Sequence, residues 1–170
     1  MSLGDAIARL APELPAFEPG HVWLAGAGPG ALGCLTVEVV AALADARIPA
    51  TRRGVSKALI LATGHAVGTP GDLDWAALAR TGQPIVIYMG LAAVGEIAAA
   101  LMAGGLPPAT PAAVIASATT PEERVLVADL GSIAARVAAE GIRAPALVVV
   151  GEIVALRAEL IALARAEAQA

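Results

Sequence analysis

Between Thr81 and Pro121 the chain carries a single charge, Glu96. So apolar a stretch can lie inside a bilayer or inside a sheet covered on both faces, and few other environments accept it. The window from Ile85 to Ala103 has the hydropathy of a spanning helix, but its punctuation argues against one. Gln83-Pro84 opens it, Gly90 and Gly95 interrupt it, Glu96 sits within it, and Gly104-Gly105 with Pro107-Pro108 closes it. Those breaks read as strand, turn, helix and loop, so the segment is expected in the core of a soluble α/β domain and not in a membrane.

The same alternation runs through the rest of the chain. His21 to Ala25 is a short apolar run that ends in a glycine turn, and Leu35, Val39 and Leu43 then recur at helical spacing as far as Ala46. Ala46 to Gly54 offers no second buried strand and reads as a loop. Strands are expected at 58–63, 84–88, 112–117, 124–130 and 145–150, with helices at 74–80, 91–103, 132–140 and 152–168. Strands and helices alternating at this spacing predict a largely parallel sheet covered on both faces. Residues 4–14 read as a short helix limited by Pro12 and Pro15, part of a leader.

Charge narrows the partners. Lys and Arg number 11 against 15 Asp and Glu, for a net charge of -4. No basic run with interleaved aromatic residues offers a surface for a phosphate backbone, so nucleic acid is not expected. A single cysteine, Cys34, excludes an intramolecular disulfide, and the N-terminus lacks the pattern of a secretory signal, which points to a cytoplasmic protein.

Three features could carry chemistry. Gly26-Ala27-Gly28-Pro29-Gly30-Ala31 follows a predicted strand and leads toward a helix, fitting a dinucleotide loop, another adenosine cofactor, or a structural turn. A dinucleotide fold needs a second strand ending in an acid about 20 residues on, and Asp45 has the distance without the strand. Tyr88-Met89-Gly90 ends an apolar strand where open α/β sheets bind ligands. There Met89 can pack on a flat ring or fill core space, and Gly90 leaves backbone amides accessible. Arg52-Arg53 can clamp a carboxylated ligand or remain solvated. His65, after Thr63-Gly64, lacks the Cys, Asp or Glu cluster of a metal site, and no G-x-S-x-G elbow marks a serine nucleophile.

In order along the chain stand Gly-His-Val-Trp-Leu-Ala-Gly-Ala-Gly-Pro-Gly (20–30), Leu35-Thr36, Ile-Pro-Ala-Thr-Arg-Arg-Gly-Val (48–55) and Ala-Thr-Gly-His (62–65). Leu-Asp-Trp-Ala-Ala-Leu-Ala (73–79), Tyr-Met-Gly-Leu (88–91), Thr-Thr-Pro (119–121) and Pro-Ala-Leu-Val-Val-Val-Gly-Glu-Ile-Val-Ala-Leu-Arg (145–157) complete the set. Together they resemble the tetrapyrrole (corrin/porphyrin) methylases, and within that family the members that methylate uroporphyrinogen III. The resemblance implies a C-terminal α/β domain (47–170) joined to the first βα unit of an incomplete N-terminal domain (21–46), behind a leader (1–20). It implies S-adenosyl-L-methionine as cofactor, a tetrapyrrole substrate and a homodimer. Carried over position by position, it places Pro29, Met89 and Ala118 beside the cofactor or the tetrapyrrole, with Pro145 and Ala146 close by; together with the turn glycines Gly28 and Gly90 these are the expected cofactor residues, and Met89 with Arg53 of the arginine pair the expected substrate residues. The family's Tyr-Asp strand end, Gly-Lys-Arg segment, Gly-Gly-Asp-Pro loop and Pro-Gly-Thr-Ser turn have no counterpart between Asp45 and Ile48. Measured against an ordinary two-domain enzyme, roughly a hundred residues are missing there.

Overall fold

A computed structural model describes residues 36–64, Gly68 and residues 72–167. The leader, the strand expected at 21–25, the glycine turn with Gly28 and Pro29, and His65 lie outside the described residues. In chain order the elements are α1 (Thr36–Asp45), β1 (Ile60–Thr63), α2 (Trp75–Arg80), β2 (Ile85–Tyr88) and α3 (Val94–Ala103). They continue with β3 (Pro111–Ala116), β4 (Arg124–Asp129), α4 (Ile133–Ala139), β5 (Ala146–Val150) and α5 (Leu156–Glu167).

The five strands form one sheet in the order β1-β2-β5-β3-β4. Only β1 and β2 pair in parallel, while β2 with β5, β5 with β3, and β3 with β4 are all antiparallel. The expectation of a largely parallel sheet is therefore corrected to a mixed one. Continuous apolar runs record burial on both faces, and the central strands of a mixed sheet meet that condition too. The connection between β3 and β4, residues 117–123, is also shorter than the dozen or so residues of a parallel crossover.

Alternation along each strand feeds two cores. Ile85, Ile87, Val114, Leu126 and Val148 face Trp75 of α2, Ile97 and Leu101 of α3, and Ile133 and Val137 of α4. On the opposite face Val86, Ala113, Ile115 and Val149 meet Val39, Leu43 and Ala46 of α1 and its continuation, with Ile48, Ile153 and Val154. The nearly uncharged stretch is thus a strand, helix and strand at the centre of both layers. Among the described residues no helix is long and apolar enough to cross a membrane.

Chain ends of the helices are set by local chemistry. The Asp74 carboxylate accepts the Ala77 N–H at 2.8 Å and caps α2. After α1, Arg47 stands at φ 57°, with its N–H donated to Ala44 O and the Ile48 N–H donated to Leu43 O. This is a Schellman arrangement with arginine in the left-handed position that glycine usually takes. Arg157 Nε donates to Ala46 O at 2.8 Å, which brings a cation to the negative end of α1. The helix expected at 152–168 begins instead as a 3-10 turn, Glu152–Val154, and becomes α-helical from Leu156.

Candidate functional site

Strand register decides which of the singled-out residues meet. Thr63 lies beside Tyr88, Ile87 beside Val148, and Ala116 beside Ala146. The last residues of β1, β2 and β3 and the first of β5 therefore share one end of the sheet. Two hydrogen bonds extend it: Gly64 N–H to Tyr88 O at 2.8 Å, and Ser117 N–H to Pro145 O at 2.9 Å. Met89, Gly90, Ala118, Pro145 and Ala146 are thus brought together.

Arg53 is not among them. The N–H groups of Lys57 and Ala58 both donate to Gln83 Oε1 at 3.1 Å, just ahead of β2, so the chain enters β1 from the opposite end of the sheet. Arg52 pairs there with Glu159 of α5 at 3.3 Å, and Arg53 follows it in an exposed turn.

Backbone conformation singles out the gathered end. Four non-glycine residues among those described have positive φ, and three of them are here: Met89 at 52°, Ser117 at 49° and Thr119 at 63°. Each such residue costs about 1–3 kcal/mol and persists where its surroundings hold it. In the loop after β3 the holding groups are visible. The Glu123 carboxylate accepts the Thr119 N–H at 3.0 Å, Ser117 O accepts the Thr120 N–H, and Thr120 Oγ1 accepts the Glu122 N–H. Thr120 O takes the Glu123 N–H, and residue 121 is proline. Ala118 is the residue left over, for its N–H has no acceptor among the described residues.

The turn after β2 behaves in the same way. The N–H groups of Met89 and Gly90 also lack an acceptor among the described residues, although Gly90 is buried. An unsatisfied donor away from water costs about 1–3 kcal/mol, so an acceptor for the buried Gly90 N–H is to be sought outside the described residues. Glycine is required at this turn, since a Cβ on Gly90 would stand 2.7 Å from Ile87 Cγ2. Met89 is 50% exposed, which removes the core-filling alternative and leaves its thioether free at the mouth of the site. Tyr88 and Ala118 pack on the second core just below.

The sequence did not single out Ser117 and Glu123. Their signal is a short Thr-Thr-Pro-Glu-Glu loop that must both reverse the chain and hold its own amides.

The chain matches the family model of tetrapyrrole (corrin/porphyrin) methylases over residues 39–134, more than half its length. It is 43% identical over 118 residues to the siroheme synthase of Methylococcus capsulatus, covering 69% of this chain and 25% of that one. With the uroporphyrinogen-III C-methyltransferase of a Sinorhizobium species the identity is 42% over 123 residues, covering 71% of this chain and 44% of the relative. Among solved structures it resembles the uroporphyrin-III C-methyltransferase of Thermus thermophilus in complex with S-adenosylhomocysteine. There the TM-score is 0.55 at 31% identity, over 68% of this chain and 50% of the other. The chain thus spans between a quarter and a half of the length of these proteins.

Proposed function

The chain belongs to the tetrapyrrole methylase family, and from that premise we propose that the sheet end around Met89, Gly90 and Ala118 binds S-adenosyl-L-methionine. The reaction this serves is C-methylation of uroporphyrinogen III to precorrin-2, on the way to sirohaem or cobalamin. The observation that carries the reading is that three amides without an acceptor among the described residues share one end of the sheet with an exposed methionine. Those amides suit the polar groups of an adenosine cofactor, and the thioether of Met89 suits a flat ring. Pro145 and Ala146 form the adjacent wall.

When bound, the cofactor supplies a methyl group on a sulfonium. Its transfer to a pyrrole carbon requires in-line positioning and removal of the ring proton. The residues in hand address the first requirement: Ser117 and Thr119, fixed in the left-handed region, pin the Ala118 amide in one orientation. Glu123, in the same loop, accepts the Thr119 N–H and serves as a positioning group.

One observation favours a second reading, a binding module without turnover. The chain spans half or less of its relatives. Isothermal titration with S-adenosylhomocysteine tests the shared part of both readings, and saturable one-to-one binding is expected. Absence of binding would sink the cofactor site altogether. Transfer of a radiolabelled methyl group to uroporphyrinogen III then separates enzyme from binding module.

A further inference from the structure

The loop between β3 and β4 holds a carboxylate of which it uses only one oxygen. Glu123 Oε2 accepts the Thr119 N–H at 3.0 Å. Its other oxygen, Oε1, takes no hydrogen bond from the described residues, and no cation among them pairs with it. The adjacent cation is committed elsewhere, since Arg124 reaches the Glu140 carbonyl oxygen at 3.4 Å and its carboxylate at 4.0 Å. Glu122 is exposed, whereas Glu123 is partly buried. Thr119 directly follows Ala118, so a carboxylate anchored on the Thr119 N–H lies one peptide from the Ala118 N–H, which has no acceptor among the described residues. Ser117 at φ 49° and Thr119 at φ 63° bracket that peptide, and Thr120 Oγ1 closes the turn by donating to Ser117 O at 2.8 Å. An amide donor and a carboxylate acceptor thus stand side by side at the end of the sheet that carries Met89.

We propose that Glu123 selects the base of the cofactor, accepting a hydrogen bond from the amino group of a 6-amino purine and rejecting a 6-oxo purine. The inference rests on the cofactor reading above and deepens it. Adenine sets its N6 amino donor beside a ring-nitrogen acceptor on both of its polar edges, N1 on one and N7 on the other. A backbone N–H next to a carboxylate oxygen is the complement of that pair. An ionised carboxylate can only accept, so it meets the carbonyl oxygen of a 6-oxo purine lone pair to lone pair. Glutamine in its place would keep an oxygen for the Thr119 N–H and turn an NH2 donor toward the base, which suits the 6-oxo group instead. The single oxygen left over by the turn is therefore the determinant, and the exposed thioether of Met89 offers the ring a face without reading its edge.

Isothermal titration of the full chain with S-adenosylhomocysteine and with its 6-oxo analogue, S-inosylhomocysteine, reads the outcome. The wild type is expected to prefer the adenosyl compound by about tenfold to a hundredfold. In Glu123→Gln that preference is expected to shrink to about threefold or less, or to reverse, with an unchanged circular dichroism spectrum. Equal binding of the two compounds by the wild type overturns the proposal, and this comparison needs no variant. So does a Glu123→Gln variant that weakens both compounds by the same factor, for the residue then only shapes the loop. Those two results leave the cofactor site standing, whereas a wild type that binds neither compound overturns the site together with the inference.

Discussion

Replacing Leu43 with alanine is expected to destabilise the fold by about 2–5 kcal/mol, seen as a lower urea midpoint with an unchanged slope. Leu43 is 1% exposed and lies in the second core with Val86, Ala113, Ile115 and Val149. Removing its branched end leaves a cavity between α1 and the centre of the sheet. Those partners come from three strands, so the vacated volume cannot close by moving one of them. The consequence reaches beyond packing. If α1 is an integral cover of this sheet, Leu43→Ala lowers the single cooperative transition of the whole domain. If α1 were a loose appendage, the same change would cost well under about 1 kcal/mol, as exposed substitutions do.

Gly64→Ala carries the second large effect. A Cβ at Gly64 would lie 2.7 Å from the Gly90 Cα and 2.7 Å from Ile97 Cδ1. Ile97 is buried in the first core and Gly90 is backbone, so neither yields cheaply. The expected loss is about 1–3 kcal/mol. The strain falls on the Met89-Gly90 turn, so affinity for S-adenosylhomocysteine should drop alongside stability. Gly95→Ala is the matched control. Its Cβ would meet only Ala134 Cβ at 3.6 Å, at an exposed position of α3, and helix propensity favours alanine by about 0.5–1 kcal/mol. Opposite signs at two glycines of one chain would tie the effect to the close approach of β1 and β2, and not to glycine content.

The strands were legible because the chain alternates uncharged runs with glycine and proline breaks; Ile85-Val86-Ile87 and Leu147-Val148-Val149 each lie where the sequence places a strand. Their directions were not legible. Burial of both faces makes a central antiparallel strand read like a parallel one, and β5 enters between β2 and β3 from a long way along the chain. Met89 shows the same limit at the site. A methionine after an apolar run has the composition of core, and only the left-handed turn at φ 52° swings it outward. Arg53 failed to join the site for a related reason. Sequence proximity to β1 does not say which end of the sheet it borders, and the Gln83 contacts with Lys57 and Ala58 place it at the far one.

The amides proposed to meet the cofactor at one end of the sheet can each be observed separately. In a 15N-labelled sample titrated with S-adenosylhomocysteine, the Met89, Gly90 and Ala118 N–H resonances are expected to shift most. Those of Arg53 and Lys57, at the opposite end, should stay in place. Shifts concentrated at Arg53 and Lys57, with Met89, Gly90 and Ala118 unmoved at saturation, would place the cofactor at the other end of the sheet and overturn the proposed site.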